Sequence, residues 1–546
     1  MTDEGEGTNT VSRHPGWPGV VGRTASLTAS ALLAAGAVGL TWLGVRAPAN
    51  QSADVAAMDV PMPADDVVYA CHGAPGNTLG AVDVGRTTAT TTLSSLDGDS
   101  TLTYGGKTLT EPVTTLAEAS DGLLSVARAD RAPTGAVGVT TTLSADGDLR
   151  GLTAAPCTPP TAISWIVGGS TQLGSSAELR LTNPGTTSVT AAIRLYGSVG
   201  ELLAPSGGRV VVPPGKTMGF LLEAAGTDSR LALSVEATGG TLVPALVTEA
   251  LDGETAAGTE VTTAGAAPST DLTVPGVALT DAAEQGEKAS DAAEGAPVSS
   301  DAPVVRVVNP GDEPATVAVS MVGPDGTQPL PGAGSLVVDP GAVFDVSLGG
   351  VPAGAYGVHV GSDAPVTAGV RLVRSAGEYP ERSGALLHDV AWSQATASDA
   401  GEAGSIALPR GGEMSSDLVL TNSGRSPAAV SLTSADGTWS RDVEVPAGTT
   451  VTPEVPDEIA ALMIAGSGSQ EVAAAAVVTT RVTGSAAGTL IAVVPAALLT
   501  LLYFVYRDYP GADLLFNHIA VSMMAILPTT VMFLVTSVAM LRERVS

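Results

Sequence analysis

The chain has 546 residues, with 55 Asp and Glu against 25 Lys and Arg, and a formal net charge of −30. Such a surface repels nucleic-acid phosphate and anionic lipid, so nucleic-acid binding is disfavoured. The length predicts roughly three or four domains. The 65 Gly and 37 Pro, set among abundant Thr and Val, predict many short strands joined by tight turns.

In chain order, residues 1–24 read as a cytoplasmic tail and residues 25–45 as an uncharged apolar run preceded by Arg13 and Arg23. The run is long enough to cross a bilayer as a helix, with its N-terminus inside by the basic flank. A cleavable signal peptide is the rival reading, because Ala47-Pro48-Ala49 resembles a small-residue cleavage site. Arg46 and the length of the run favour an uncleaved anchor.

Residues 66–157 are β-rich and end on the second of two cysteines, Cys71 and Cys157. In an exported chain these are expected to pair, which would stabilise by roughly 4–5 kcal/mol through lost loop entropy. Two separate buried thiols are the alternative. Metal binding by two lone cysteines without nearby histidines is disfavoured. Asp97-Gly98-Asp99 and Asp146-Gly147-Asp148 offer oxygen donors of the kind Ca²⁺ uses. The full twelve-residue loop is missing, however, and Asp-Gly is a hairpin signal, so both read as turns.

An internal repeat organises the middle. Asn183-Pro184-Gly185 recurs as Asn309-Pro310-Gly311 and, more weakly, as Asn422-Ser423-Gly424, each preceded by alternating apolar residues and followed by a second alternating run. Further on comes a valine-rich turn: Val212-Pro213-Pro214-Gly215, Val338-Asp339-Pro340-Gly341 and Val445-Pro446-Ala447-Gly448. Period-two alternation with closely spaced turns predicts antiparallel sandwiches. Asn bonds its own downstream backbone, Pro presets φ and Gly accepts φ > 0, so the motif argues for architecture rather than for a site. Immunoglobulin-like sandwiches are expected at 160–265, 301–376 and 403–485. Between the first two, residues 266–300 are acidic and low in complexity and read as a linker. Residues 377–402 read as a second junction.

The C-terminal composition shifts sharply. Residues 489–541 hold two apolar stretches separated by Arg507, Asp508 and Asp513, and predict a transmembrane hairpin. Two crossings would leave Arg542 and Arg544 outside, against the basic-inside tendency. The alternative makes 490–506 a last strand or a surface-lying segment, with one crossing at 519–541. The fold class is therefore mainly β, with tandem sandwiches and transmembrane helices at both ends.

A search for chemistry finds little. The five histidines, His14, His72, His359, His388 and His518, form no metal-spaced pair. No nucleophile elbow, phosphate loop or Ser-x-x-Lys occurs. Paired glycosidase carboxylates meet only in the fold, so the sequence leaves them open. Trp165 and Trp392 suit either core packing or sugar stacking, with packing favoured. No catalytic residue, cofactor or metal is expected.

The succession Cys157-Thr158-Pro159-Pro160, Trp165-Ile166-Val167-Gly168-Gly169 and Leu179 to Gly185, with the later Pro-Gly turn and Val274-Pro275-Gly276, resembles an uncharacterised family of actinobacterial envelope proteins over residues 25–485. The resemblance implies an N-terminally anchored, exported, β-rich protein associated with envelope glycan glycosyltransferase systems. It carries no catalytic or binding residues. The C-terminal hairpin departs from that pattern.

The expected function is a non-catalytic extracytoplasmic scaffold or accessory subunit at the cell membrane. Its main body would lie outside, with a membrane-protein partner for which a glycosyltransferase is the candidate. A surface module binding cell-wall glycan or another cell is the alternative, and an envelope polysaccharide hydrolase the third reading.

Overall fold

The computed structural model describes residues 66–498, apart from the short segments 81, 98–99, 112, 118–119, 128–134, 282–301, 379–384, 398–402, 468–471 and 485. All of them fall in one compact unit, Ala64–Ser546. The expected anchor at 25–45 and everything from 499 onward lie outside the described residues. Among the described residues, no helix is long and apolar enough to cross a membrane.

The described chain is mainly β, and its strands pair antiparallel into successive two-sheet sandwiches. The local cause is alternation. In Ala315–Gly323, buried Ala315, Val317 and Val319 alternate with exposed Thr316 and Ala318, so one face of the strand meets the core and the other meets water. The first sandwich pairs Thr87–Ser95 with Ala136–Ser144, and Gly151–Pro156 forms the edge beside the latter. Its small core is built on Tyr69, Leu93, Leu124 and the Cys71–Cys157 disulfide. The second sandwich sets Ser175–Thr182 and Val243–Asp252 against Val189–Gly197 and Ala232–Thr238. Thr255–Thr263 is its edge.

The third sandwich departs from the expected boundaries. Ser269–Leu279 is not part of a linker but a strand, paired with Gly354–Glu378. Leu272, Val274, Val277 and Leu279 supply its buried face, a signal that the surrounding Ala, Ser and Pro obscured. Only the later part of 266–300 remains outside the described residues. Leu386–Gln394, inside the expected junction at 377–402, is also a strand of this sandwich. Gly354–Glu378 serves both sheets. Its first part pairs with Ser269–Leu279 and Ala315–Gly323, and its second with Val304–Val308 and Leu386–Gln394.

The fourth sandwich corrects the predicted start of the membrane hairpin. Gly488–Pro495 pairs residue for residue with Val472–Val482, and Leu490 to Val494 are buried. Buried on both faces, this strand shows a continuous apolar run instead of alternation, which is why it reads as membrane-like.

The four sandwiches close into a ring through their edge strands. Gly151–Pro156 packs on Thr255–Thr263, that strand on Leu386–Gln394, that one on Gly488–Pro495, and the last returns to Gly151–Pro156. Each joint has its own apolar cluster. Ala155 meets Val247 and Val261 between the first and second sandwiches. Val167 and Tyr196 meet Val308 and Val343 between the second and third. The third sandwich's core continues into Val477 and Ile491 of the fourth, and the fourth's core into Val139 and Leu152 of the first. Close approach at this hub needs small residues. A Cβ on Gly151 would stand 2.6 Å from Thr259 Oγ1 and 2.8 Å from Asp389 Oδ1.

Candidate functional site

The three repeat motifs occupy identical roles. Asn183 is fully buried and its Nδ2 donates to the Thr187 carbonyl at 2.8 Å and the Val212 carbonyl at 2.9 Å, while its Oδ1 accepts from Gly185 N. Asn309 does the same with Glu313, Val338 and Gly311, and Asn422 with Ser426, Val445 and Gly424. Each Asn therefore ties the turn to the end of the strand before the Pro-Gly turn. Pro184 and Pro310 sit inside these turns, and Ser423 replaces proline in the third. The structure gives these residues an architectural role. Cys71 and Cys157 are joined, with Cα atoms 4.1 Å apart. Asp146 and Asp148 are turn residues whose carboxylates accept backbone N–H groups from Val82, Asp83 and Arg86. Among the described residues no cluster of three or more metal-ligating groups occurs.

Charged residues that drew no attention in the sequence latch the sandwiches together. Arg306 is 1% exposed. It forks onto Asp345 through Nε and Nη2 at 2.8 and 2.9 Å, and donates across the joint to the carbonyls of Gly169, Ser229 and Leu231. Its guanidinium also lies 4.9 Å from the centre of the Trp392 ring. Gln394 completes this joint with reciprocal bonds to the N–H and carbonyl of Val167. Between the first and second sandwiches, Arg180 donates to the carbonyls of Gly73 and Ala74, and Glu249 Oε2 accepts from the N–H groups of Thr78 and Leu79.

At the hub, Asp389 Oδ2 accepts from Ile491 N, and Arg150 Nε donates to the Ala486 carbonyl. Burial pushes the Asp389 carboxyl up to about 7, opposed by the Ile491 N–H and by the charge on Arg150. Glu260, also buried, is raised well above the carboxylate range by desolvation and by nearby Asp389. Burial lowers the Arg150 guanidinium, whose Nη1 and Nη2 have no hydrogen-bond partner among the described residues. His72, buried beside Asp121 and Arg180, is pushed down to about 4 by desolvation.

A sequence profile of DUF5719, a family of unknown function, matches residues 113–456, more than half of the chain. The chain belongs to DUF5719. No curated protein sequence matches it. The DUF5719 match begins in the first sandwich and ends in the fourth, so it takes in the Arg306 latch and the Arg150 and Asp389 side of the hub.

Two cavities adjoin these contacts in the DUF5719 chain. One, of about 390 Å³, runs past Asp83, Arg86 and Asp146 toward Arg150. The other is a cleft of about 1000 Å³ between the second and third sandwiches. Serine and threonine residues, Gln172, Arg230, Glu249, Phe344, Arg371 and Trp392 are among the residues that line it. Sequence reasoning singled out Trp392 but missed Arg306, Asp345, Glu249 and Arg371, because each of these is a single charge in a strand. The available signal was a charge at an inward position, as in Val304-Val305-Arg306-Val307-Val308, all five buried.

Proposed function

We propose that this protein is a non-catalytic extracytoplasmic scaffold or accessory subunit of an actinobacterial cell envelope, built of immunoglobulin-like sandwiches and held to the membrane by its apolar termini. The ring of edge strands carries this reading. Interlocking cores and buried polar latches make the sandwiches one rigid platform rather than beads on a string, as a docking surface for a membrane partner requires. The buried disulfide supports an oxidising compartment. The candidate partner is a membrane protein of envelope glycan assembly, a glycosyltransferase in the first instance.

The test compares the full-length chain with a version ending at Leu498, which leaves the last described strands intact. Both are purified from gently solubilised membranes and the captured proteins identified by mass spectrometry. A membrane protein held by the full-length chain and lost from the shorter one supports the scaffold. If neither version retains a membrane protein, the scaffold reading fails.

A further inference from the structure

We infer that the hub is a proton-held clasp: its buried carboxyl groups keep the fourth sandwich seated in the ring at acidic pH and let it open away as pH rises. The fourth sandwich is the one placed to move. It meets the first by contact alone, because the two lie at opposite ends of the described chain. It also lacks an arginine latch. Arg180 and Arg306 stand three residues before Asn183 and Asn309, and Val419 holds that place before Asn422. Val419 packs into the core of the third sandwich instead. Hydroxyls make the polar bonds there, from Thr450 to the Val322 carbonyl and from Thr327 to the Gly448 carbonyl. None of these contacts titrates, so pH reaches the fourth sandwich through the hub.

At the hub, side chains satisfy what a neighbouring strand would satisfy in a sheet. Gly151–Pro156, Thr255–Thr263, Leu386–Gln394 and Gly488–Pro495 are all edge strands, with outward N–H groups that need acceptors. Asp389 Oδ2 accepts Ile491 N of the fourth sandwich at 2.8 Å. Glu260 accepts Trp392 N through Oε2 and Val261 N through Oε1. Arg150, from the first sandwich, donates to the Ala486 carbonyl of the fourth at 3.1 Å. Asp389, Glu260 and Arg150 are buried, so opening the hub is what hydrates them.

Few charges face Asp389. Arg150 and Glu260 come from the first and second sandwiches. Arg374 is its cross-strand partner and donates to the carbonyls of Val373 and Ala278. Arg371 and His388 lie on the opposite face of that sheet, and Glu378 at the strand's end is exposed. Asp271, on Ser269–Leu279, is exposed and bonded to His359, and Gly488–Pro495 carries no ionisable side chain. Burial outweighs these charges and holds both carboxyls above the usual range. A carboxyl that keeps its proton when buried and loses it when hydrated favours the closed hub at low pH. For Asp389 that advantage is lost between about 3.9, the hydrated value, and about 7. Glu260 acts with the same sign.

The full-length chain in detergent is followed by residue-resolved hydrogen exchange between pH 5 and 7, each rate divided by its intrinsic value. Ile491 N reports the hub, because it is bonded to the Asp389 carboxyl and not to a paired strand. Val167 N, bonded to Gln394 across the latched second and third sandwiches, reports a joint that stays shut. Amides of Ala315–Gly323, inside a sandwich, report global unfolding. Ile491 is expected to be less protected than the other two, with its protection falling about fiftyfold over this range through Asp389 alone. Asp389→Asn keeps an acceptor for Ile491 and removes that fiftyfold part. Ile491 as protected as the sandwich interior overturns the proposal, since the hub then opens only when the chain unfolds. So does protection of Ile491 in the native chain that is independent of pH, a result that needs no variant to fold. Loss of protection at Val167 in step with Ile491, or a folded variant that retains the native dependence, also overturns it. Partner retention tests the scaffold reading separately.

Discussion

The Asp389 carboxylate, in the third sandwich, accepts the backbone N–H of Ile491, in the fourth, at 2.8 Å with both residues fully buried. This contact makes the hub pH-sensitive. Burial holds Asp389 at about 7, against about 3.9 for an exposed Asp. Between these values the folded chain keeps a proton that the unfolded chain has released. Native protein thus binds more protons, and stability falls as pH rises through that window, then levels above it. Glu260, raised by burial, acts with the same sign. His72, lowered to about 4, acts oppositely: between about 4 and 6.5 its contribution rises with pH. Asp389→Asn keeps an acceptor for Ile491 and removes one titration. The stability of the native chain relative to this variant should fall by up to about 4 kcal/mol from pH 4 to 7. Denaturant unfolding of both proteins across this range checks it, and a pH-independent difference refutes it.

Much of the architecture is legible in the residues. Val317 and Val319 alternate with polar or exposed neighbours, and Asn183, Asn309 and Asn422 mark equivalent turns, so sandwiches and their repetition can be read directly. The hub is harder to read because its strands are covered on both faces. Gly151–Pro156 and Gly488–Pro495 lose alternation for that reason, and the second then resembles the start of a membrane segment. The cleft was not legible, since its lining residues, Glu249 and Arg371 among them, lie far apart in sequence and border one space only when two sandwiches dock. Trp392 sits in a stretch that reads as a junction, yet it is 6% exposed under Arg306.

The latch between the second and third sandwiches is predicted to be coupled. Arg306→Met strands Asp345, whose side chain is 9% exposed, and removes donors from three backbone carbonyls. Breaking one side of such a buried pair costs roughly 3–5 kcal/mol. The double variant Arg306→Met, Asp345→Leu should recover the part owed to the stranded carboxylate, leaving the loss from the carbonyls. A double-mutant cycle by denaturant unfolding measures this, and strictly additive costs would argue against the pairing.

The disulfide should be both stabilising and shielded. Cys71 and Cys157 are 86 residues apart in sequence and buried at 1% and 4% exposure. Closing a loop of that length contributes about 4–5 kcal/mol in the chain-entropy model. The double variant Cys71→Ser, Cys157→Ser should lower the stability of the first sandwich by that order. The native protein should resist dithiothreitol until it unfolds, as followed by alkylation and mass spectrometry. Rapid reduction without unfolding would mean that the first sandwich opens locally.

The repeat motif makes the last prediction. Asn309→Asp changes almost no volume but replaces a two-donor amide with a carboxylate that faces the carbonyls of Glu313 and Val338 at 2.8 and 3.0 Å. Both carbonyls lose their donor, and a negative charge is placed in a fully buried position. Gly311 N can still be accepted, so the turn keeps one of its bonds. The expected cost is at least about 3 kcal/mol. Asn309→Ser, which retains one donor and no charge, should cost less than Asn309→Asp. The same order should hold at Asn183 and Asn422, because each makes the same pair of bonds. Unfolding midpoints for the three paired substitutions test this. An Asp variant as stable as its Ser counterpart at any of the three sites would show that the motif's amide donors do not hold that turn to its strand.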